Sequence, residues 1–272
     1  MRFNQILIAD SIPIGEQNTA RELYHDVALR AQVFVPAPLI LYRRTESREA
    51  LLALLAELTT SAATVGDIPV LHVECHGNGE GLAFANGSFA TWAELKGPLT
   101  RLNVATSLNL LVVVAACDGS ALTNTLGLTD RAPFHGLIGP IRRVLPEDLV
   151  RSYLALYETL LETRSARLAV EAMRAATPDT FIYRTAEWMF QYGWDHYQRT
   201  QETPEARLER GRRMAANPPA EYDGPPIQAE HFAQLLADRN RDVFDTYRRN
   251  FFLCDLLPEH EARFNVRYEI LE

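Results

Sequence analysis

The sequence predicts an α/β fold with a mostly parallel central sheet. Strand-length apolar segments alternate with segments of helical periodicity through most of the first 177 of the 272 residues. Residues 108–115 are almost wholly apolar, which predicts a central strand covered on both faces. Beyond residue 177 the sequence becomes aromatic-rich and then basic. We therefore expect one α/β domain over residues 1–177 and a helical C-terminal extension, residues 178–272, packed on it.

Short apolar runs that end at a turn or a polar residue predict the strands of this domain. They lie at residues 6–9, 39–42, 68–74, 108–115 and 134–141. Apolar residues at helical spacing predict helices at residues 17–33, 46–58, 146–161 and 166–176. Asn86-Gly87, flanked by apolar residues, predicts a β-hairpin. Thr91, with Glu94 three residues later, predicts a capping box at the start of the next helix.

The C-terminal extension is expected to be helical, with one interruption. Helices are predicted at residues 181–197 and 207–216, and one long helix at residues 229–257. The proline-rich stretch at residues 217–226 predicts a break between them.

Composition excludes several classes of function. The formal net charge of −8 argues against a general nucleic-acid binder, which needs a basic surface for phosphate. No run of about 18 uncharged apolar residues predicts a membrane span, and the start does not resemble a signal peptide. The three cysteines, Cys75, Cys117 and Cys254, fit neither a disulfide framework nor a zinc site. We expect a cytoplasmic protein without membrane contact, metal or organic cofactor.

Two predicted strands end in residues that could carry out chemistry together. His76-Gly77 follows the strand at 68–74, and Cys117 follows the strand at 108–115. If these strands are neighbours in a parallel sheet, both side chains reach the same edge, where ligands bind. Imidazole is a suitable base for a thiol at neutral pH. The backbone N–H groups of Gly77 and Cys117 are candidates for an oxyanion hole.

These residues resemble the caspase-like cysteine peptidases, and within them the CHAT family related to caspases and separases. The resemblance lies in Val73-Glu74-Cys75-His76-Gly77 and Val114-Ala115-Ala116-Cys117-Asp118-Gly119, two apolar blocks ending in His-Gly and Ala-Cys-x-Gly. It extends to the helical segments at 153–161 and 166–174 and covers roughly residues 1–177.

The resemblance implies a caspase-like three-layer fold and a specific chemistry. His76 would be the general base, Cys117 the nucleophile, and Gly77 with Cys117 the oxyanion hole. It further implies a regulated endopeptidase that cleaves a protein substrate in bacterial antiviral defence or cell death. The C-terminal helices are where we expect an activator or regulatory protein to dock.

Substrate preference is open in the sequence. Relatives that cleave after Arg or Lys often carry Asp two residues before the cysteine, where this chain has Ala115. Asp10, at the end of the first strand, is a candidate for the pocket of a basic P1 residue, or else a turn residue. Asp118 is a candidate for contact with the substrate backbone or for capping the next helix. A preference for acidic P1 would need Arg142 or Arg143 near the pocket, although solvent exposure is the better expectation for both.

Two other functions compete with the endopeptidase. One is a non-catalytic interaction module that uses a caspase-like fold as a docking platform. The other is a thiol hydrolase or acyltransferase that acts on small activated esters or amides.

Overall fold

The chain folds into two compact units. A computed structural model describes residues 2–217 and 228–269. The first unit comprises the described residues up to Leu126 together with Ala132–Ala186. The second comprises Gly127–Arg131 and the described residues from Glu187 onward.

The first unit is a mixed α/β unit. Its elements in chain order are β1 (Gln5–Asp10), α1 (Thr19–Ala31), β2 (Leu39–Arg44), α2 (Arg48–Val65), β3 (Pro69–Glu74), β4 (His76–Asn78), β5 (Gly81–Ala83), β6 (Phe89–Thr91), α3 (Trp92–Ala105), β7 (Leu111–Ala115), a 3-10 helix (Gly119–Thr125), β8 (Gly136–Pro140), α4 (Pro146–Thr163), α5 (Ala166–Ala176) and β9 (Phe181–Thr185). Six strands form the main sheet in the order β2-β1-β3-β7-β8-β9, and β4, β5 and β6 form a small second sheet. All neighbours in the main sheet are parallel except β9, which runs antiparallel to β8. The predicted mostly parallel central sheet is confirmed.

Helices cover both faces of the main sheet, because alternate strand residues point to opposite faces. On β7, Leu111 and Val113 belong to the apolar core that contains residues of α1, α4 and α5. Val112 and Val114 instead line a cavity of about 20 Å³ with leucines of α2 and α3. The first unit therefore has three layers, and β7 is buried on both faces as its apolar sequence predicts.

Local signals in the sequence fix the segment between β5 and α3. Gly87 has a φ of +85°, which the Asn-Gly pair predicts, and β5 pairs antiparallel with β6. At the start of α3, the Thr91 hydroxyl accepts from the Glu94 N–H at 3.2 Å, and the Glu94 carboxylate accepts from the Thr91 N–H at 2.8 Å. The predicted hairpin and capping box are both confirmed.

The helix predicted at residues 181–197 is wrong over its first turn and a half. Phe181–Thr185 is strand β9, and helix begins only at Ala186. Phe181, Ile182 and Tyr183 are aromatic or β-branched residues that favour a strand, and β8 offers them an unpaired edge.

The second unit is helical and has an aromatic core. Its helices are α6 (Ala186–Gln201), α7 (Pro204–Ala216), α8 (Ala229–Asp238), α9 (Asn240–Phe251) and α10 (His260–Arg263). The largest buried rings are Phe190, Trp194, Phe244, Phe251, Phe252 and Phe264. The single long helix expected at residues 229–257 is wrong, because the chain breaks at Arg239 between α8 and α9. Asp238 and Asn240 flank the break, and such side chains compete with helical hydrogen bonds. The interruption expected at residues 217–226 lies outside the described residues from residue 218 onward.

None of the helices in the ranges 2–217 and 228–269 has both the length and the apolar character of a membrane-spanning segment.

Candidate active site

The two strands that lead to His76 and Cys117 are neighbours in the main sheet. β3 and β7 pair in parallel, and Glu74 is opposite Ala115. His76 and Cys117 each lie two residues beyond this pair, at the carboxyl edge of the sheet. The ladder therefore delivers both residues to the same edge, where parallel sheets bind ligands.

One cavity brings the two side chains together. It has a volume of about 90 Å³, and its lining includes both His76 and Cys117. Its polar lining also includes Glu16, Gln17 and Thr19. Within the described part of the chain, no hydrogen bond joins the Cys117 sulfur to the His76 ring, although both line the same cavity.

A tight turn presents Cys117. The Gly119 N–H donates to the Ala116 carbonyl at 3.0 Å, and Asp118 has a φ of +56°. A Cβ atom on Gly119 would lie 2.7 Å from Cγ1 of Val114, so the turn has no room for a side chain there. This explains the glycine of the Ala-Cys-x-Gly motif. Cys117 is partly exposed, and its N–H has no hydrogen-bond partner among the described residues.

Gly77 lies against this turn. A Cβ atom on Gly77 would be 3.0 Å from the Cys117 carbonyl oxygen and 2.9 Å from Cβ of Ala116. The backbone beside His76 and the backbone of Cys117 are therefore in close contact, as two N–H groups that share one oxyanion must be.

The His76 ring has a partner that sequence reasoning missed. Its Nε2 lies 3.0 and 3.2 Å from the two carboxylate oxygens of Glu16. Glu16 belongs to the β1–α1 loop, residues 11–18. The side chains are 56% and 49% exposed for His76 and Glu16, so this is a surface contact at the mouth of the site. The sequence signal for this contact is a carboxylate in the loop after the first strand. The contact forms because β1 lies next to β3, and it joins residues 60 positions apart, which sequence spacing does not reveal.

Asp10 is buried beneath this loop. Its Oδ1 accepts from the Ile12 N–H at 2.7 Å, and its Oδ2 accepts from Asn18 at 2.7 Å, from Arg44 at 2.8 Å and from the Tyr42 hydroxyl. Burial raises the pKa of the Asp10 carboxyl, but these hydrogen bonds together outweigh burial and leave the pKa below its ordinary value of 3.8.

Neither Asp10 nor Asp118 belongs to the lining of the cavity that His76 and Cys117 share. Asp118 precedes the 3-10 helix but makes no side-chain capping bond. Arg142 and Arg143 are exposed, as expected, and Arg142 donates to the Thr180 hydroxyl at 2.7 Å.

A fully buried polar cluster lies under the site. The His72 ring contacts the Tyr157 hydroxyl at 3.0 Å through Nδ1 and the Glu74 carboxylate at 3.1 Å through Nε2. Thr19, which also lines the cavity, donates its hydroxyl to Glu74. Burial, then the nearby Glu74 charge, raises the pKa of the Tyr157 hydroxyl. His72 is therefore a fully buried core histidine.

The other two cysteines are buried. Burial, followed by the charges of Glu74 and Asp10, raises the pKa of the Cys75 thiol. Burial, then Glu261, also raises the pKa of Cys254. Both are free thiols, and Cys117 is the most exposed of the three cysteines. The described residues contain no cluster of three or more His, Cys, Asp or Glu side chains arranged to hold a metal ion.

Comparison with protein-family models gave no match. Comparison with curated proteins likewise gave none.

Proposed function

We propose that this chain is a caspase-like cysteine endopeptidase in which His76 is the general base and Cys117 the nucleophile. The observation that carries the proposal is that both residues line one cavity at the carboxyl edge of adjacent parallel strands. The motif resemblance supports the same pair. A thiol beside an imidazole is the arrangement that peptide-bond hydrolysis through a thioester requires.

The reaction follows from these positions. His76 takes the proton of the Cys117 thiol, and the thiolate attacks the carbonyl carbon of the scissile peptide bond. The N–H groups of Gly77 and Cys117 stabilise the oxyanion. The tetrahedral intermediate then breaks the C–N bond, and imidazolium returns the proton to the leaving amine. Water, deprotonated by His76, hydrolyses the thioester and regenerates the thiol.

The substrate class and biological role are part of the proposal. We propose a protein substrate and a regulated protease in bacterial defence or cell death, on the strength of the family resemblance alone. Selection of a basic P1 residue by Asp10 would require the substrate cation to replace Arg44, its present ionic partner. We assign an activator or regulatory protein to the helices of the second unit, where Trp188 and Tyr192 stack at 5.0 Å and are both exposed.

New peptide termini provide the test. The full chain is incubated with a diverse peptide mixture, and new termini are read by mass spectrometry. Cys117→Ala and His76→Ala should abolish cleavage. Cys75→Ala removes a thiol that lines the same cavity but is buried, and it should retain cleavage.

The pattern of cleavage discriminates between the competing functions. Cleavage by wild type alone, with aligned sites, supports the endopeptidase and gives the P1 residue. Aligned sites that stay the same in Asp10→Asn would remove Asp10 from specificity. Turnover of activated esters without peptide cleavage would favour a small-molecule thiol hydrolase. If wild type forms no new termini, the endopeptidase proposal fails and the interaction module gains support.

A further inference from the structure

The contact between Glu16 and His76 defines which ring nitrogen can act as a base. An ionised carboxylate only accepts hydrogen bonds, so His76 Nε2, at 3.0 Å, must be the protonated nitrogen. In the neutral ring the proton can be on only one nitrogen, and Nδ1 then carries the lone pair. The His76 ring has no other hydrogen-bond partner in the described part of the chain.

We infer that Glu16 is a positioning residue that holds His76 in the Nε2–H tautomer, so that Nδ1 is the atom that accepts the Cys117 proton. This inference rests on the proposed function and adds a third member to its dyad. In each turnover the proton passes from the sulfur to Nδ1 and from Nδ1 to the leaving amine. The other proton stays on Nε2, hydrogen-bonded to Glu16. Glu16 touches neither the scissile bond nor the sulfur.

The loop that carries Glu16 is fixed at both ends. Asp10 binds the Ile12 N–H near its start and the Asn18 side chain at its end. Asn18 also caps α1 by accepting from the Arg21 N–H at 2.7 Å. These bonds make Glu16 part of a defined loop instead of a freely moving one.

The loop is also tied to the strand that leads to His76. The Ser11 N–H donates to the Glu74 carbonyl at 2.8 Å, two residues before His76. The loop is therefore anchored to β3 close to His76. Because of this anchor, the contact with Glu16 can fix the orientation of the His76 ring. The orientation of a catalytic group strongly affects the reaction rate, since a misplacement of about 1 Å can lower the rate about 100-fold.

Because the Glu16–His76 contact is at the surface, a substitution of Glu16 can test its effect on catalysis without a large effect on stability. Both side chains are about half exposed, and exposed ion pairs contribute little to folding. Replacement of Glu16 should therefore leave the thermal unfolding temperature unchanged. Glu80→Gln is the matched control, because Glu80 is an exposed carboxylate in the β4–β5 turn without a bond to His76.

The first experiment reads the tautomer directly. Long-range ¹H–¹⁵N spectra of histidine-labelled full chain are recorded at a pH where the imidazoles are neutral, and His76 is assigned by its absence in His76→Ala. We expect the Nε2–H pattern in wild type and Glu80→Gln, and a mixture of tautomers in Glu16→Ala. Glu16→Gln keeps an acceptor oxygen and should restore much of the wild-type pattern.

The second experiment measures cleavage kinetics. Glu16→Ala should lower kcat on the order of 10- to 100-fold with KM little changed, with partial recovery in Glu16→Gln. An Nδ1–H pattern in wild type, or equal kcat in wild type and Glu16→Ala, would overturn the inference while leaving the endopeptidase intact. If neither the wild type nor any variant cleaves peptides, the endopeptidase proposal fails. The role of Glu16 as a catalytic positioning residue then fails with it. In that case an Nε2–H pattern in the spectra would report only the hydrogen bond between His76 and Glu16, without a role in catalysis.

Discussion

Gly77 lies so close to the carbonyl oxygen of Cys117 that no side chain would fit at this position. A Cβ atom there would lie 3.0 Å from that oxygen. The segment that carries His76 and the turn that carries Cys117 thus meet through their backbones. In the proposed site, this backbone contact sets the spacing between His76 and Cys117.

Gly77→Ala should therefore damage the site. The added methyl group would overlap Ala116 and Cys117, with an expected loss of about 1–3 kcal/mol in the free energy of unfolding and a strong fall in kcat. Gly79→Ala, in the same hairpin, has nothing within 4 Å of its Cβ position and should behave like wild type. Urea unfolding and peptide cleavage measure both effects, and equal behaviour of the two variants would contradict the packing argument.

The two histidines of this region should respond to substitution in opposite ways. His72→Ala removes the ring that hydrogen-bonds both Glu74 and Tyr157 in the core. We expect it to lower the free energy of unfolding by on the order of 3–5 kcal/mol. His76→Ala removes an exposed ring and should change stability by no more than about 0.5 kcal/mol, although cleavage is lost. Thermal or urea unfolding of both variants checks this. A destabilised His76→Ala would show that its ring serves the fold.

The three thiols should differ in reactivity toward iodoacetamide. Burial raises the pKa of Cys75 and of Cys254, whereas Cys117 is partly exposed. Because the thiolate is the reacting species, Cys117 should be alkylated at least about 100-fold faster than the other two, which require local opening. Peptide mapping after brief labelling of the native protein gives the three rates, with urea-unfolded protein as the control. Rapid labelling of Cys75 would contradict its burial.

Asp10 should make stability depend on pH in the acid range. Its folded-state pKa lies below 3.8, so the unfolded chain takes up the proton first as pH falls. The stabilisation is therefore fully present well above pH 3.8 and is lost as pH falls through the folded-state value. Near pH 7, Asp10→Asn should lower the free energy of unfolding by about 1–3 kcal/mol.

This difference from wild type should shrink below pH 3.8. Urea titrations over a pH series measure it, and Asp26→Asn, an exposed carboxylate on α1, is the control. A difference that grows toward acid pH would have the wrong sign for this network.

The sequence predicted those parts of the fold that depend on local chemistry. The apolar run at residues 108–115 contains the buried strand β7, and the Thr91–Glu94 capping box forms at the start of α3. The errors arose where tertiary context decides. Residues 181–185 were assigned to a helix by continuity with the aromatic segment behind them, but pairing with β8 makes them a strand.

The candidate site was predictable only in part for the same reason. His76 and Cys117 each follow an apolar strand, which is a local signal, and the structure brings both to one cavity. Glu16 offers only a weak signal, a carboxylate in the loop after the first strand, because its contact with His76 depends on β1 being next to β3. The partners of Asp10 likewise come from two segments, the β1–α1 loop and β2, and spacing along the chain cannot reveal that β2 lies beside β1. The catalytic and specificity roles themselves stay predictions until cleavage is measured.

The strand order of the main sheet leaves β2 and β9 at its two edges. The edge strands of a sheet can act as templates on which other chains add strands and aggregate. β2 carries Arg43 and Arg44 toward its end, and β9 carries Arg184, so a strand arriving at either edge would have to desolvate a guanidinium group. We expect these arginines to disfavour the addition of a further strand to the sheet.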